Sequence, residues 1–77
     1  MKVVWSRYAL DRLEEIHTYL VREAGERVAD RTIANVLDAV ALLTQFPLGG
    51  QVEPWLEHMG LGHRRAVVGH YKVIYRI

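Results

Sequence analysis

Cysteine is absent from the 77-residue chain, so neither a disulfide framework nor a thiolate metal site can add stability. No apolar run is long enough to span a bilayer, and the N-terminal MKVVWSRYALDRLEE becomes charged too early for a signal peptide. Internal repeats and low-complexity tracts are also missing. These absences predict a cytoplasmic protein without membrane contact, and the length predicts a single domain over residues 1–77.

The residues that are present have the balance of a globular domain with an uneven distribution of charge. Hydrophobic residues make up 51% of the chain and charged residues 25%, which excludes a disordered segment. The net charge is only +1, but all nine acidic residues lie at or before Glu57. The C-terminal third is therefore expected to form a basic surface. Its cations are Arg64, Arg65, Lys72 and Arg76.

The N-terminal half is predicted to contain a short strand and two helices. Lys2–Trp5 is β-branched and aromatic, as strands are, and Ser6 is a favourable helix N-cap. Apolar residues recur at helical spacing from 7 to 24, after which Gly25 is expected to end the helix in a left-handed conformation. A second, antiparallel helix is predicted from 26 to 46, since Pro47 prevents its continuation. The apolar face of this helix consists of Ile33, Val36, Leu37, Val40 and Leu43.

The segment 47–62 is predicted to be a loop, because both prolines and most of the glycines of the chain fall within it. At most one helical turn is expected there, around 55–59. The apolar residues of the loop are expected to pack against the small core rather than to form a binding site. They are Leu48, Val52, Trp55, Leu56 and Leu61.

A β-hairpin is predicted at the C-terminus, with strands at 63–68 and 71–77. Gly69 and His70 suit a two-residue turn of type II′, which has glycine at its first central position. This turn sets the register of the two strands. The expected cross-strand pairs are Val68 with Tyr71, Val67 with Lys72, Ala66 with Val73, Arg65 with Ile74, Arg64 with Tyr75 and His63 with Arg76.

The two sides of this hairpin are expected to differ in chemistry. One side is mostly apolar, with Arg64 at its margin, and can pack on the helices. The other side gathers the cations around Val67 and Ile74, and its pattern fits a binding surface or a solvated face equally well. The order βααββ predicts an α+β fold, in which a helical hairpin packs on a small, mostly antiparallel sheet. The candidate binding residues are His63, Arg64, Arg65, Lys72 and Arg76.

Taken in order, these segments resemble the ParE/RelE superfamily of type II toxins, and specifically its ParE branch. VVWSRYALDRLEEIHTYL resembles the family's strand and first helix, FPLGGQ its turn after the second helix, and GHRRAVVGHYKVIYRI its terminal hairpin. The resemblance implies a toxin neutralised by a cognate ParD-like antitoxin within a hetero-oligomer. It also implies growth arrest through DNA gyrase without enzymatic activity, and contact with DNA only through the antitoxin.

The resemblance leaves two alternatives open. RelE-like relatives are mRNA endonucleases that act on the ribosome, and the materials for that chemistry exist here. Cations can stabilise phosphate charge, and His63, His70 or Tyr75 can move a proton. Family members usually continue past the position of Ile77, and RelE-like nucleases commonly place a catalytic side chain in that segment. The second alternative is therefore a non-toxic, truncated relic that only binds the antitoxin.

Two sites are expected to contact the antitoxin besides the basic surface. The strand 71–77 lies near an open sheet edge, where the antitoxin or a second copy can add a strand. A groove lined by apolar residues beside the helices can accept an amphipathic helix. The histidines are too scattered for a metal site, and no cofactor is expected. The residues of the strand edge are Val73, Ile74, Tyr75 and Ile77.

Overall fold

A computed structural model describes residues 3–77, apart from the side chain of Glu57. Within these residues, two helices precede a three-stranded antiparallel sheet, which confirms the α+β class. No helix in the described part of the chain is long and apolar enough to cross a membrane. The elements are α1 (Arg7–Ala24), α2 (Glu26–Gln45), β1 (Gln51–Val52), a 3₁₀ helix (Pro54–Met59), β2 (Arg64–Val68) and β3 (Tyr71–Tyr75).

The structure differs from the prediction at the N-terminus. Val3–Trp5 is not part of the sheet, and Lys2 lies outside the described residues. A segment of high β propensity becomes a strand only where a neighbouring strand takes its N–H and C=O groups, and propensity alone does not supply that neighbour. The predicted N-cap is confirmed, because the hydroxyl of Ser6 accepts a hydrogen bond from the amide of Ala9 at 3.0 Å.

A single residue, Gly25, joins the two helices. Its amide donates to the carbonyl of Val21 at 3.2 Å, and its own carbonyl accepts from the amide of Ala29 at 3.1 Å. Gly25 has the positive φ that was expected, at 94°, but its ψ of 163° is extended rather than left-handed helical. The difference arises because this one residue both ends α1 and begins α2. Across the hairpin, His17 Nε2 lies 2.8 Å from Asp30 Oδ1.

The core is small and belongs to α2. Its buried apolar residues, at intervals of seven, form one seam along this helix, whereas α1 has no buried residue. Leu37 was expected in the core but is 46% exposed, because one further residue turns the side chain about 100° away from the seam. Much apolar surface therefore remains accessible to a partner. The seam consists of Ala29, Val36 and Leu43.

The predicted hairpin register is confirmed at every pair within β2 and β3. The strands are shorter than expected, since neither His63 nor Arg76 extends them. Gly69 has a φ of 58° whereas that of His70 is not positive, as the type II′ turn requires. The strand order is β1-β2-β3, with β1 pairing antiparallel to β2, so β3 lies at the edge.

The sheet has an inner and an outer face. The inner face is half-buried and turns toward α2, which packs against β2. The segment before the hairpin does not tuck into the core as expected, since of its apolar residues only Leu56 is partly covered. The inner face carries Arg64, Ala66, Val68, Tyr71, Val73 and Tyr75. The outer face, as the term is used below, carries Gln51, Arg65, Val67, Lys72 and Ile74, and the term includes Arg76, which directly follows β3.

Candidate functional site

The outer face is open to solvent and mixes apolar with cationic side chains. Val67 is 70% exposed and Ile74 is 46% exposed, although both are β-branched residues within their strands. Where one face of an antiparallel sheet is in solvent, the side chains on that face are usually polar. Exposed apolar residues on this face are therefore typical of a surface that another protein covers.

The sequence suggested that the cations of the outer face are unopposed, but one of them is paired with a carboxylate. Lys72 Nζ lies 2.9 Å from Oε2 of Glu53, which is 0% exposed. Glu53 follows β1, whereas Lys72 belongs to β3, so this ion pair spans the width of the sheet. The three strands are thus joined by side chains as well as by their backbone hydrogen bonds, and Lys72 is not a free cation.

Glu53 makes three further contacts that explain its burial. Its Oε1 accepts from the amide of Trp55 at 3.2 Å, and its carbonyl accepts from the amide of Leu56 at the same distance. Its own amide donates to the carbonyl of His63 at 2.9 Å. The Lys72 ammonium is the main cause that lowers the pKa of Glu53 below 4.5, against the opposing effect of burial. The carboxylate therefore stays charged at neutral pH and fixes the start of the 3₁₀ helix.

Two cations remain for a partner on this side of the sheet. Nη2 of Arg65 makes a long hydrogen bond of 3.4 Å to Oε1 of Gln51, while its Nε is buried without a partner. Arg76 directly follows β3, is exposed, and pairs with no carboxylate among the described side chains. His63 is half-buried, and its Nδ1 has no partner among the described atoms. Of the predicted basic residues, Arg65 and Lys72 thus share one face of the sheet, Arg64 lies on the other, and His63 and Arg76 lie just beyond the ends of β2 and β3.

Arg64 faces inward and holds the turn that follows α2. Its Nη2 donates to the carbonyls of Leu48 and Gly50, at 3.1 and 2.6 Å. Its cross-strand partner Tyr75 donates from Oη to the carbonyl of Pro47 at 2.6 Å and accepts from the amide of Gly50 at 3.1 Å. Both side chains therefore stabilise the turn, because the backbone N–H and C=O groups of a turn that packs against the sheet must form hydrogen bonds.

The free edge of β3 keeps its unpaired backbone groups. Within the described residues, no strand pairs with β3 on the side away from β2. Of the four residues predicted for this edge, Val73 and Tyr75 are half-buried, whereas Ile74 and Ile77 are exposed. The edge therefore offers backbone hydrogen bonds together with two apolar side chains.

A shallow groove lies between the helices. It is mostly apolar and bordered by the hydrogen bond that links His17 to Asp30. Such a groove fits the apolar stripe of another helix, as the sequence analysis expected. Among the described residues, no three His, Asp or Glu side chains are grouped as metal ligands. The groove is lined by Leu10, Leu13, Glu14, His17 and Ile33.

Glu53 is the residue that the sequence analysis missed. Its role at the start of the 3₁₀ helix could have been predicted, since an acidic residue directly before Pro54 suits the start of a helical turn. Its ion pair with Lys72 joins positions that are distant along the chain and depends on the packing of three strands. No spacing rule along the chain indicates that contact.

The model of one protein family, described as the ParE toxin of type II toxin-antitoxin system, parDE, matches residues 3–77. No curated protein matches the chain, and no solved structure matches it. The family match covers both helices, the sheet and every residue of the candidate surface. The chain belongs to the ParE toxin family and is the toxin component of a type II toxin–antitoxin system.

Proposed function

We propose that this toxin arrests growth by binding DNA gyrase through the outer face of its sheet, without catalysing a reaction. The observation that carries the proposal is the composition of that face. Exposed Val67 and Ile74 share this face with Arg65, and exposed Arg76 directly follows the strand of Ile74, a combination that suits an apolar protein surface flanked by carboxylates. The choice of gyrase follows from the ParE-like character of the chain. Gyrase acts on DNA in the cytoplasm, which is therefore the compartment in which the toxin acts.

The positions of the side chains that could transfer a proton favour protein binding over RNA cleavage. A general base must reach the 2′-hydroxyl of its substrate. Glu53 is fully buried and paired with Lys72, and the hydroxyl of Tyr75 is bonded to Pro47 within the fold. His63 is half-buried, and His70 is exposed but lies in the hairpin turn, at the opposite end of the strands from Arg65 and Arg76. The described side chains thus do not place an accessible base beside these two cations.

The antitoxin is proposed to be ParD-like and to occupy two other surfaces. A helix of the antitoxin lies in the groove between α1 and α2, which Leu10 and Ile33 line with apolar surface. An extended segment adds a strand to the free edge of β3, beyond which Ile77 is exposed. Both contacts cover apolar area that the small core leaves accessible, so a stable hetero-oligomer is expected. DNA contact in this complex is made by the antitoxin.

The gyrase proposal is tested by the supercoiling of relaxed plasmid by purified gyrase. The toxin is expected to inhibit supercoiling, and Arg76→Glu is expected to raise the half-inhibitory concentration by about tenfold. Arg76 suits the test because it is exposed and pairs with no described carboxylate, so its reversal leaves the fold intact. Arg27→Glu on the first turn of α2 is the matched control, since Arg27 is also exposed and is expected to be neutral.

The two halves of the proposal fail separately in this experiment. Supercoiling that is unaffected by the wild-type toxin would remove gyrase as the target. Inhibition that is equal for the wild type and Arg76→Glu would leave gyrase in place but remove Arg76 from the binding surface. Equal losses in Arg76→Glu and Arg27→Glu would show a general effect of charge and not one of the outer face.

A further inference from the structure

The outer face and the 3₁₀ helix after β1 contain the two kinds of side chain that bind single-stranded nucleic acid, an aromatic ring and cations, but also a carboxylate. Trp55 is 78% exposed and is an aromatic residue of the type on which bases stack. Arg65 and Arg76 are cations of the type that binds phosphate. The carboxylate of Glu53 contacts both sides of this surface: Oε1 accepts from the amide of Trp55, and Oε2 lies beside the ammonium of Lys72. This carboxylate is the component that a phosphate-binding site would not contain.

Glu53 neutralises one of the cations of this surface from a buried position. Its Oε2 lies 2.9 Å from Lys72 Nζ, and no part of Glu53 is exposed. An incoming phosphate could displace an exposed carboxylate from Lys72. It cannot displace a buried one at the same cost, because Glu53 would remain as an unpaired charge inside the protein. The pairing with Glu53 thus weakens the attraction of Lys72 for anionic ligands.

We propose that Glu53 is a specificity-determining residue that, by holding Lys72, makes the outer face select protein over nucleic acid. The proposal rests on the proposed function only in taking the outer face as the surface that binds. Val67 and Ile74 favour the protein partner, since apolar side chains can cover them whereas a phosphate backbone cannot. The neutralisation of Lys72 by Glu53 and the exposure of these two apolar side chains therefore both favour a protein partner.

The proposal is tested with a fluorescein-labelled oligothymidine of about 20 nucleotides, whose binding is followed by anisotropy at several salt concentrations. Glu53→Gln keeps the size of the side chain, removes its charge and releases Lys72. The variant is expected to bind more tightly than the wild type at low salt. Its slope of log affinity against log salt is expected to steepen by about 0.7, the value for one further phosphate contact. Between about 50 and 200 mM salt its affinity then falls roughly 2.5-fold more.

A second variant separates released charge from a loosened fold. Glu53→Gln combined with Lys72→Gln is expected to return the slope to that of the wild type, because the released cation is gone. A loosened fold would bind better whether or not Lys72 is present. An unchanged slope in Glu53→Gln, or a steeper slope that persists in the double variant, would overturn the proposal. The assay contains no gyrase, so a failure of the proposed target leaves this result unaffected.

Discussion

Replacing Lys72 with alanine is expected to destabilise the toxin more than the loss of any other cation of the outer face. The reason is Glu53, whose carboxylate is 0% exposed and would lose the ammonium that lies 2.9 Å away. Removing one partner of a buried ion pair leaves an uncompensated charge in the interior. The midpoint of thermal unfolding at pH 7 should fall by several degrees, because the ammonium of Lys72 is partly exposed and solvent weakens the pair. Arg76→Ala, which removes an exposed and unpaired cation, should change it little.

The same prediction has a defined pH dependence. The pKa of Glu53 is lowered in the folded state, so its contribution to stability is present above about pH 4.5 and is lost as the pH falls toward the lowered value. Without Lys72, the main cause that lowers the pKa of Glu53 is gone, so the variant lacks most of this pH-dependent contribution. The difference in unfolding midpoint between wild type and Lys72→Ala should therefore shrink from pH 7 to pH 4. Adding Glu53→Gln should restore part of the loss at pH 7.

Thermal melts followed by circular dichroism at both pH values measure these differences. An equal loss in Lys72→Ala and Arg76→Ala would contradict the ion pair as a structural element. A loss in Lys72→Ala that is the same at pH 4 and pH 7, and that Glu53→Gln does not relieve, would assign it to the methylene packing of the lysine.

Alanine at Gly50 is expected to destabilise the fold by about 1–3 kcal/mol. The backbone of Gly50 is not in a left-handed conformation, so alanine would ordinarily stabilise the chain by restricting its unfolded state. Here an added Cβ would lie 2.6 Å from Oη of Tyr75 and closer still to the carbonyl oxygen of Arg65. Tyr75 must move away, and its hydrogen bonds to Pro47 and to Gly50 itself are lost. The close approach thus reverses the usual sign of the substitution.

Equilibrium denaturation of Gly50→Ala, Tyr75→Phe and the double variant tests this account. Tyr75→Phe alone should cost about 1–3 kcal/mol, because it leaves polar groups of the turn without a partner. The double variant should cost clearly less than the two losses added together, since both changes remove the same hydrogen bonds. A Gly50→Ala variant as stable as the wild type, or strictly additive losses, would mean that the turn after α2 is not held by Tyr75.

The hairpin and the two helices were predictable because their determinants are local. Gly69 and His70 set the strand register through turn geometry, and the observed pairs follow it. Ser6 and the helical spacing of apolar residues indicated where α1 begins. The strand β1 was missed because two residues, Gln51 and Val52, are too few to show a periodic pattern.

The chemistry of the surface was less predictable, because it depends on contacts between distant segments. Arg64 and Arg65 are adjacent and alike in the sequence, yet one holds the turn at Gly50 and the other lies on the outer face. Alternation along the strand separates them, but only the position of the turn shows that Arg64 is fully engaged. Glu53 is a surface residue by composition rules and becomes the buried partner of Lys72 only in the assembled sheet.

Expression of this chain in bacteria from an inducible promoter, with growth, plasmid supercoiling and reporter mRNA integrity followed together, tests the central claim most directly. Growth arrest with altered supercoiling and intact mRNA is expected, together with recovery when the cognate antitoxin is co-expressed. Arrest with rapid mRNA cleavage and unchanged supercoiling would contradict this claim in favour of a ribosome-dependent endonuclease. Normal growth at a confirmed level of folded protein would contradict toxic activity altogether.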